Sequence, residues 1–418
     1  MKDFLDSIGP GFCLAKWTQA TMHLGVGLTH SCHHTKAHHI DVNAIQKDPS
    51  ALHNTQQKLD NRQAMLAGHR LPDCNYCWRV EDANAGVSDR VTKSSAPWSV
   101  VDKDAIVNQT WQGYPRSLEV SFSNACNFAC AYCGPTFSSK WNAEISEQGP
   151  YQLSGTVYNR LAVQQIPNRD NNPYIDAFWK WFPNIIDGLH EFRITGGEPL
   201  MSKETFRILE MINNGLYKNL DFAINTNGCP PEQTWQNFCF RLKQIDDKNS
   251  CKSVTVYPSA ETVGADAEYI RDGMDWQLFK SNIEYLLENT TQVKVSFMST
   301  VSILSIRRMK EFLEWLNFLK ITYGENRVRA DLTQLKHPKF LDCTFFANKT
   351  SISLINQSIT YLADLDHMTK ERNRLLTIKS VMQNAKQDTL YKQLNEFILE
   401  YDQRRGLNGK ELFKQLLE

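Results

Sequence analysis

Three cysteines, Cys126, Cys130 and Cys133, fall within eight residues in the spacing C-x3-C-x2-C. Thiolates are soft ligands that suit zinc and iron–sulfur clusters. A compact loop brings positions this close to one centre, yet three ligands leave a tetrahedral site one short. No histidine lies between residues 70 and 189 to complete it locally. Two chemistries follow: structural zinc closed by a distant fourth residue, or a four-iron cluster with one iron open to a small molecule.

A second set of thiols precedes it. Cys13 is followed by thirteen residues, Gly27, four residues and Cys32, and Cys74-Asn-Tyr-Cys77 forms a C-x2-C pair. Four cysteines in two groups also suit a zinc ribbon, and His30, His33, His34, His38 and His39 offer further ligands, although loop or surface roles suit these histidines better. Eleven cysteines in all, an odd number, fit a reducing compartment and metal ligation better than a disulfide framework. The remaining Cys229, Cys239, Cys251 and Cys343 read as small buried apolar residues. Cys229 stands at a strand end, where a thiol can also give a hydrogen atom to a substrate radical, although buried packing accounts for it more simply.

The elements that must position these groups follow from periodicity. Short β-rich runs bounded by turns occur at 118–123, 191–195, 220–226, 253–259, 293–302 and 327–332. Helical patterns lie between them, at 174–190, 202–213, 276–288 and 306–319. Alternation of this kind predicts right-handed βαβ units and a parallel sheet with its chemistry at the carboxyl ends of the strands. Six repeats predict an α/β fold, a partial (β/α)6 TIM-like barrel over 118–352. Residues 1–81 form a cysteine-rich unit, 82–117 a breaker-rich linker, and 353–418 a helical segment with no strand signal. Lys plus Arg and Asp plus Glu both number 46, so bulk charge favours neither nucleic acid nor an acidic membrane. No stretch reaches the roughly 18 apolar residues of a membrane span, and the protein is expected to be soluble and cytoplasmic.

Motifs at the strand ends sharpen the chemistry. Gly196-Gly197-Glu198-Pro199 follows the second strand, Asn225-Thr226-Asn227-Gly228-Cys229 ends the third, and Ser259-Ala260-Glu261 ends the fourth, ten residues before Arg271. Together with the cysteine loop and its aromatic Tyr132, these resemble the radical S-adenosylmethionine (SAM) superfamily. The resemblance implies a [4Fe-4S] cluster on Cys126, Cys130 and Cys133 whose open iron is chelated by SAM. It further implies that the main chain around Tyr132 meets the adenine, that Gly196, Gly197 and Glu198 receive the SAM amino group, and that Ser259 and Arg271 anchor its carboxylate and ribose. C-x13-G-x4-C with the later C-x2-C pair resembles the SPASM and twitch auxiliary domains, which implies a second [4Fe-4S] cluster on Cys13, Cys32, Cys74 and Cys77, with Gly27 in a hairpin turn. In that family the auxiliary unit normally follows the barrel, whereas here it precedes it. Asp402-Gln-Arg-Arg-Gly406 resembles a charged tail segment of some twitch-type relatives.

By this resemblance the chain is an enzyme that cleaves SAM to a 5′-deoxyadenosyl radical and abstracts a hydrogen atom. The auxiliary cluster would assist oxidation or substrate binding. A peptide or protein side chain, or a small molecule such as a sugar or nucleotide, would be the substrate, and flavodoxin or ferredoxin the electron donor. The competing reading is a non-catalytic zinc-binding interaction protein, which leaves the Gly-Gly-Glu-Pro and Arg271 matches without a use.

Overall fold

A computed structural model describes residues 1–161, 165–166, 171–382 and 388–417. The expected helical segment 353–418 thus includes residues 383–387 and 418, which lie outside the described part. Eleven strands occur in chain order: β1 Gln19–His23, β2 Leu28–His30, β3 His38–His39, β4 Ser117–Ser121, β5 Tyr151–Leu153, β6 Thr156–Tyr158, β7 Glu191–Thr195, β8 Tyr217–Thr226, β9 Cys251–Pro258, β10 Lys294–Val301 and β11 Val328–Gln334.

Strands β4, β7, β8, β9, β10 and β11 are the six expected repeats, paired in parallel in that order. Helices alternate with them, giving a mixed α/β fold of the partial-barrel kind. Alternation with period two explains the strands: in β8, Leu220, Phe222, Ile224 and Thr226 are buried while the residues between them are less so. Phe178, Phe182, Phe192 and Phe222 stack in succession, with ring centroids 4.8, 4.8 and 5.9 Å apart, and bind the 173–181 helix to the sheet. That helix is shorter than its periodicity predicts. It ends at Trp181, and two 3-10 turns follow, because Pro183 supplies no N–H and disfavours helical geometry in the residue before it.

The sheet is larger than six strands. β1 pairs in parallel with β4, in register from Gln19↔Ser117 to His23↔Ser121, and β2 and β3 follow antiparallel, making nine strands in one sheet. Ala20, Met22 and Leu24 accordingly belong to the barrel core, while Leu5, Phe12, Leu14, Trp17, Met65, Leu71 and Ile106 form a second, smaller core. Gly27 lies in the β1–β2 connection at φ 65°, and a side chain there would run into the Tyr174 ring.

Residues 82–117, expected as a linker, contain helices Asp89–Ser94, Pro97–Val100 and Lys103–Val107. Arg90 in the first is buried and donates to Glu81, Asp6 and the Phe12 carbonyl. Arg116 chelates Asp102 through two bonds of 2.7 Å and donates to the Gly188 carbonyl, holding this stretch against the barrel. Breaker residues mark the turns between these short helices, and the buried ion pairs make the segment part of the fold. In the C-terminal segment, the helix Asp388–Arg405 buries Phe397 and Tyr401 against Trp141 and Tyr151.

Candidate active site

The loop that carries Cys126, Cys130 and Cys133 leaves the carboxyl end of β4 and has almost no regular structure of its own. Side chains and backbone from elsewhere satisfy its polar groups instead. The Ala129 and Ala131 amides donate to the carbonyls of Asp272 and Ile270 at 2.8 and 2.7 Å. Trp141 Nε1 donates to the Cys130 carbonyl, Tyr158 Oη to those of Ala131 and Cys133, and Tyr401 Oη to that of Ala129. A loop whose backbone is bound on so many sides is held in one conformation, which is what three convergent ligands require.

Two of the glycines are part of that grip. The Gly197 amide donates to the Ser123 carbonyl at 3.2 Å and the Glu198 amide to that of Ala125 at 2.6 Å. A Cβ on Gly197 would sit 2.4 Å from the Ala125 oxygen, and Gly196 has φ 137° with a Cβ site 2.8 Å from the Ser123 oxygen. Both positions therefore require glycine for the approach of two backbones. Glu198 is buried, and its carboxylate accepts from the Leu200 amide, the Thr226 hydroxyl and the Asn227 amide at 3.0, 2.9 and 2.5 Å. Burial pushes this carboxyl up to about 7. It ties the end of β7 to the end of β8, and Asn227 continues the link by donating to Asn127 within the cysteine loop at 2.7 Å.

Arg271 lies beside the cysteine loop. It is buried and does not meet Ser259. Nε and Nη2 donate to Glu261 at 3.1 and 2.5 Å, Nη2 also donates to the Tyr132 hydroxyl at 2.5 Å, and Nη1 faces the Cys130 sulfur at 3.8 Å. Tyr132 in turn donates to Glu261 Oε1 at 3.1 Å. Its guanidinium thus forms an internal ion pair beside a cysteine. Ser259 directly follows β9, half-buried and bridged to Met298, with its hydroxyl unpartnered among the described residues. Cys229 is buried, and its thiol points at the Asp275 carbonyl at 3.6 Å. Cys239, Cys251 and Cys343 are buried too.

The donor set fits an iron–sulfur group. Burial pushes the Cys126 and Cys133 thiols up to about 12. As free thiols they are neutral at pH 7, so a metal must displace their protons, and the Arg271 cation offsets the charge then left on Cys130.

Cys13, Cys32, Cys74 and Cys77 line one small cavity. Cys13 precedes β1, Cys32 follows β2, and Cys74 and Cys77 bracket the start of the 75–82 helix. Burial raises Cys74 to about 11 and Cys77 to about 12. Two residues of the 89–94 helix reach the sulfurs: Lys93 Nζ donates to Cys32 at 3.3 Å and the Ser94 hydroxyl to Cys13 at 3.9 Å. His34 stacks on Tyr76 and pairs with Asp89 at 2.7 Å, beside His33. Neither Lys93 nor Ser94 stands out in the sequence, because an isolated Lys and a Ser pair carry no spacing signal. Arg405 had one signal, the Asp-Gln-Arg-Arg-Gly segment, whose role only the folded chain shows, and Tyr401 just before that segment had none. Arg405 pairs with Glu144 at 2.6 Å and lies over Trp141 and Tyr401, and Asp402 caps Gly409 and Lys410.

Comparison with known proteins adds three findings. A GTP 3′,8-cyclase of Campylobacter lari is 30% identical over 111 residues, 26% of each chain, and that of Campylobacter curvus is 29% identical over 234 residues, 54% of this chain and 61% of its own. The chain therefore spans about a quarter of the length of the first of these relatives and under two thirds of the second. Streptococcus suis SuiB matches 85% of this chain and 69% of its own at 13% identity and a TM-score of 0.38. Residues 120–316, which begin within β4 and include the cysteine loop, the Gly-Gly-Glu-Pro turn and Arg271, match the family described as the Radical SAM superfamily.

Proposed function

We propose that the protein is a two-cluster radical SAM enzyme that abstracts a hydrogen atom from its substrate. The observation that carries this reading is the placement of the three-cysteine loop at the carboxyl end of β4, bound to the Gly196–Gly197 turn, within a stretch that matches the superfamily. Cys126, Cys130 and Cys133 would hold a [4Fe-4S] cluster with one open iron, and Cys13, Cys32, Cys74 and Cys77 a second, closed one. When bound, the first cluster supplies the electron that splits SAM into methionine and a 5′-deoxyadenosyl radical. The chain's own part is to orient and to shelter. By the resemblance, the Gly196–Gly197 turn with Glu198 would meet the SAM amino group, Ser259 and Arg271 its carboxylate and ribose, and the main chain around Tyr132 its adenine.

One feature favours clusters over zinc: the superfamily match accounts for the Gly-Gly-Glu-Pro turn, which a zinc module leaves unused. A flavodoxin or ferredoxin would deliver the electron.

Anaerobic reconstitution followed by metal analysis tests the reading. About eight irons per chain are expected from two four-iron clusters. Dithionite with SAM should then yield 5′-deoxyadenosine, and Cys126→Ala, Cys130→Ala and Cys133→Ala should abolish it. Stoichiometric zinc without iron, or product that persists in these variants, would overturn the proposal.

A further inference from the structure

The parallel pairing of β1 with β4 places the N-terminal unit at the reaction site. His23 ends β1 directly opposite Ser121 of β4. Beyond that pair lies a cavity of about 130 Å³. One wall comes from the barrel, with Ser121, Asn124 and the Gly196–Gly197 turn, and the facing wall from the N-terminal unit, with His23. Phe137, from the cysteine loop's downstream side, packs edge-on at 6.4 Å from His23.

His23 is unusual among the polar groups there. Neither ring nitrogen has a partner among the described residues, although the ring is half-buried. Its orientation is set from behind by His30, 5.5 Å away between ring centroids, and His30 is itself fixed by a 2.9 Å bond from Nδ1 to the Cys32 carbonyl. Burial lowers the His23 pKa, so the ring is neutral at pH 7 and offers one donor and one acceptor. No Asp, Glu, Lys or Arg lines the cavity among the described residues. An anion entering it would shed water and find no cation in exchange. A cavity of this volume is comparable to one that holds a single aromatic ring, and so has room for an amide or one ring.

We propose that this cavity is the substrate subsite and that it selects a small uncharged group that both donates and accepts hydrogen bonds, an amide being the simplest, with His23 as its contact. The inference rests on the radical SAM reading of the adjoining Gly196–Gly197 turn. It makes the N-terminal unit a selectivity wall of the active site in addition to a holder of thiols.

Equilibrium dialysis of radiolabelled benzamide against the reconstituted full-length enzyme with SAM tests it, with guanosine triphosphate as the polyanionic probe. Benzamide should bind one site per chain and guanosine triphosphate should not compete. His23→Ala should weaken benzamide roughly fivefold to tenfold, the worth of one hydrogen bond, and His23→Gln, which keeps a donor and an acceptor, should restore most of it. Phe137→Ala, at an exposed position, tests the same pocket should His23→Ala fail to fold. Absence of benzamide binding, binding indifferent to both substitutions, or His23-dependent binding of guanosine triphosphate would each overturn the proposal. SAM binding and 5′-deoxyadenosine release in the same preparations separate the two levels: if these fail the radical reading fails, and if they hold while benzamide does not bind, only the subsite is lost.

Discussion

Arg271 and Glu198 show how much a single side chain can do beside a reactive centre without touching a substrate. A guanidinium 3.8 Å from the Cys130 sulfur favours the state with more negative charge, which for an iron–sulfur group is the reduced one. Arg271→Met should therefore lower the midpoint potential of the first cluster by an amount on the order of tens of millivolts, read by spectroscopically monitored redox titration. An unmoved potential together with lost SAM affinity would return Arg271 to the role of cofactor anchor. Glu198 carries a different signature. Its folded pKa of about 7 lies above the 4.5 of a free glutamate, so the folded state binds the extra proton and stability falls as pH rises between these values. The span corresponds to at most about 3 kcal/mol. Thermal unfolding of the metal-free protein should show a midpoint that declines from about pH 5 to 7, and Glu198→Gln should flatten that slope while lowering stability throughout, because the new amide N–H meets the Asn227 amide.

At the scale of elements, the cysteine loop depends on segments far away in the chain. Tyr401 and Arg405 on the 388–405 helix both donate to the Ala129 carbonyl, and Arg405 also neutralises the mostly buried Glu144. Tyr401→Phe should cost about 1 kcal/mol, one net hydrogen bond. Arg405→Ala should cost about 1.5 to 3 kcal/mol, the worth of a hydrogen bond to a charged group, because Glu144 then keeps only Arg404 at 3.6 Å and the Tyr151 hydroxyl at 2.6 Å. Both should speed iron loss from the first cluster when reconstituted protein is challenged with chelator, and an unchanged rate would mean that the helix packs on the loop without holding it. Gly197→Ala should be worse than either for cluster retention, since its Cβ cannot fit 2.4 Å from the Ala125 oxygen without moving the loop.

For the whole molecule, the nine-stranded sheet makes the cysteine-rich unit and the barrel one hydrogen-bonded body. Removing residues 1–81 would strip β1 from β4 and expose a strand edge flanked by the apolar core. Such a truncated chain should aggregate or fail to express in soluble form, measured by size-exclusion chromatography, whereas an independent auxiliary domain would leave a soluble barrel behind.

Much of this was legible in the residues. The three-thiol spacing, the six repeats and the glycine turn are local signals: ligand groups lie within eight residues, strands alternate with period two, and backbone approach admits only glycine. β7 begins and ends where its periodicity predicts, Glu191 to Thr195. What only the tertiary structure decided are the meetings of residues far apart in sequence that carry no spacing signal. Arg271 turned to Glu261 and Cys130, the stretch 82–117 supplied Lys93 and Ser94 to the second thiol set, and the N-terminal strand joined the barrel to bring His23 to the glycine turn. The physical reason is that ligand type and local conformation are set over a few residues, whereas the partner of a buried charge or an open strand edge is chosen by competition across the whole folded chain.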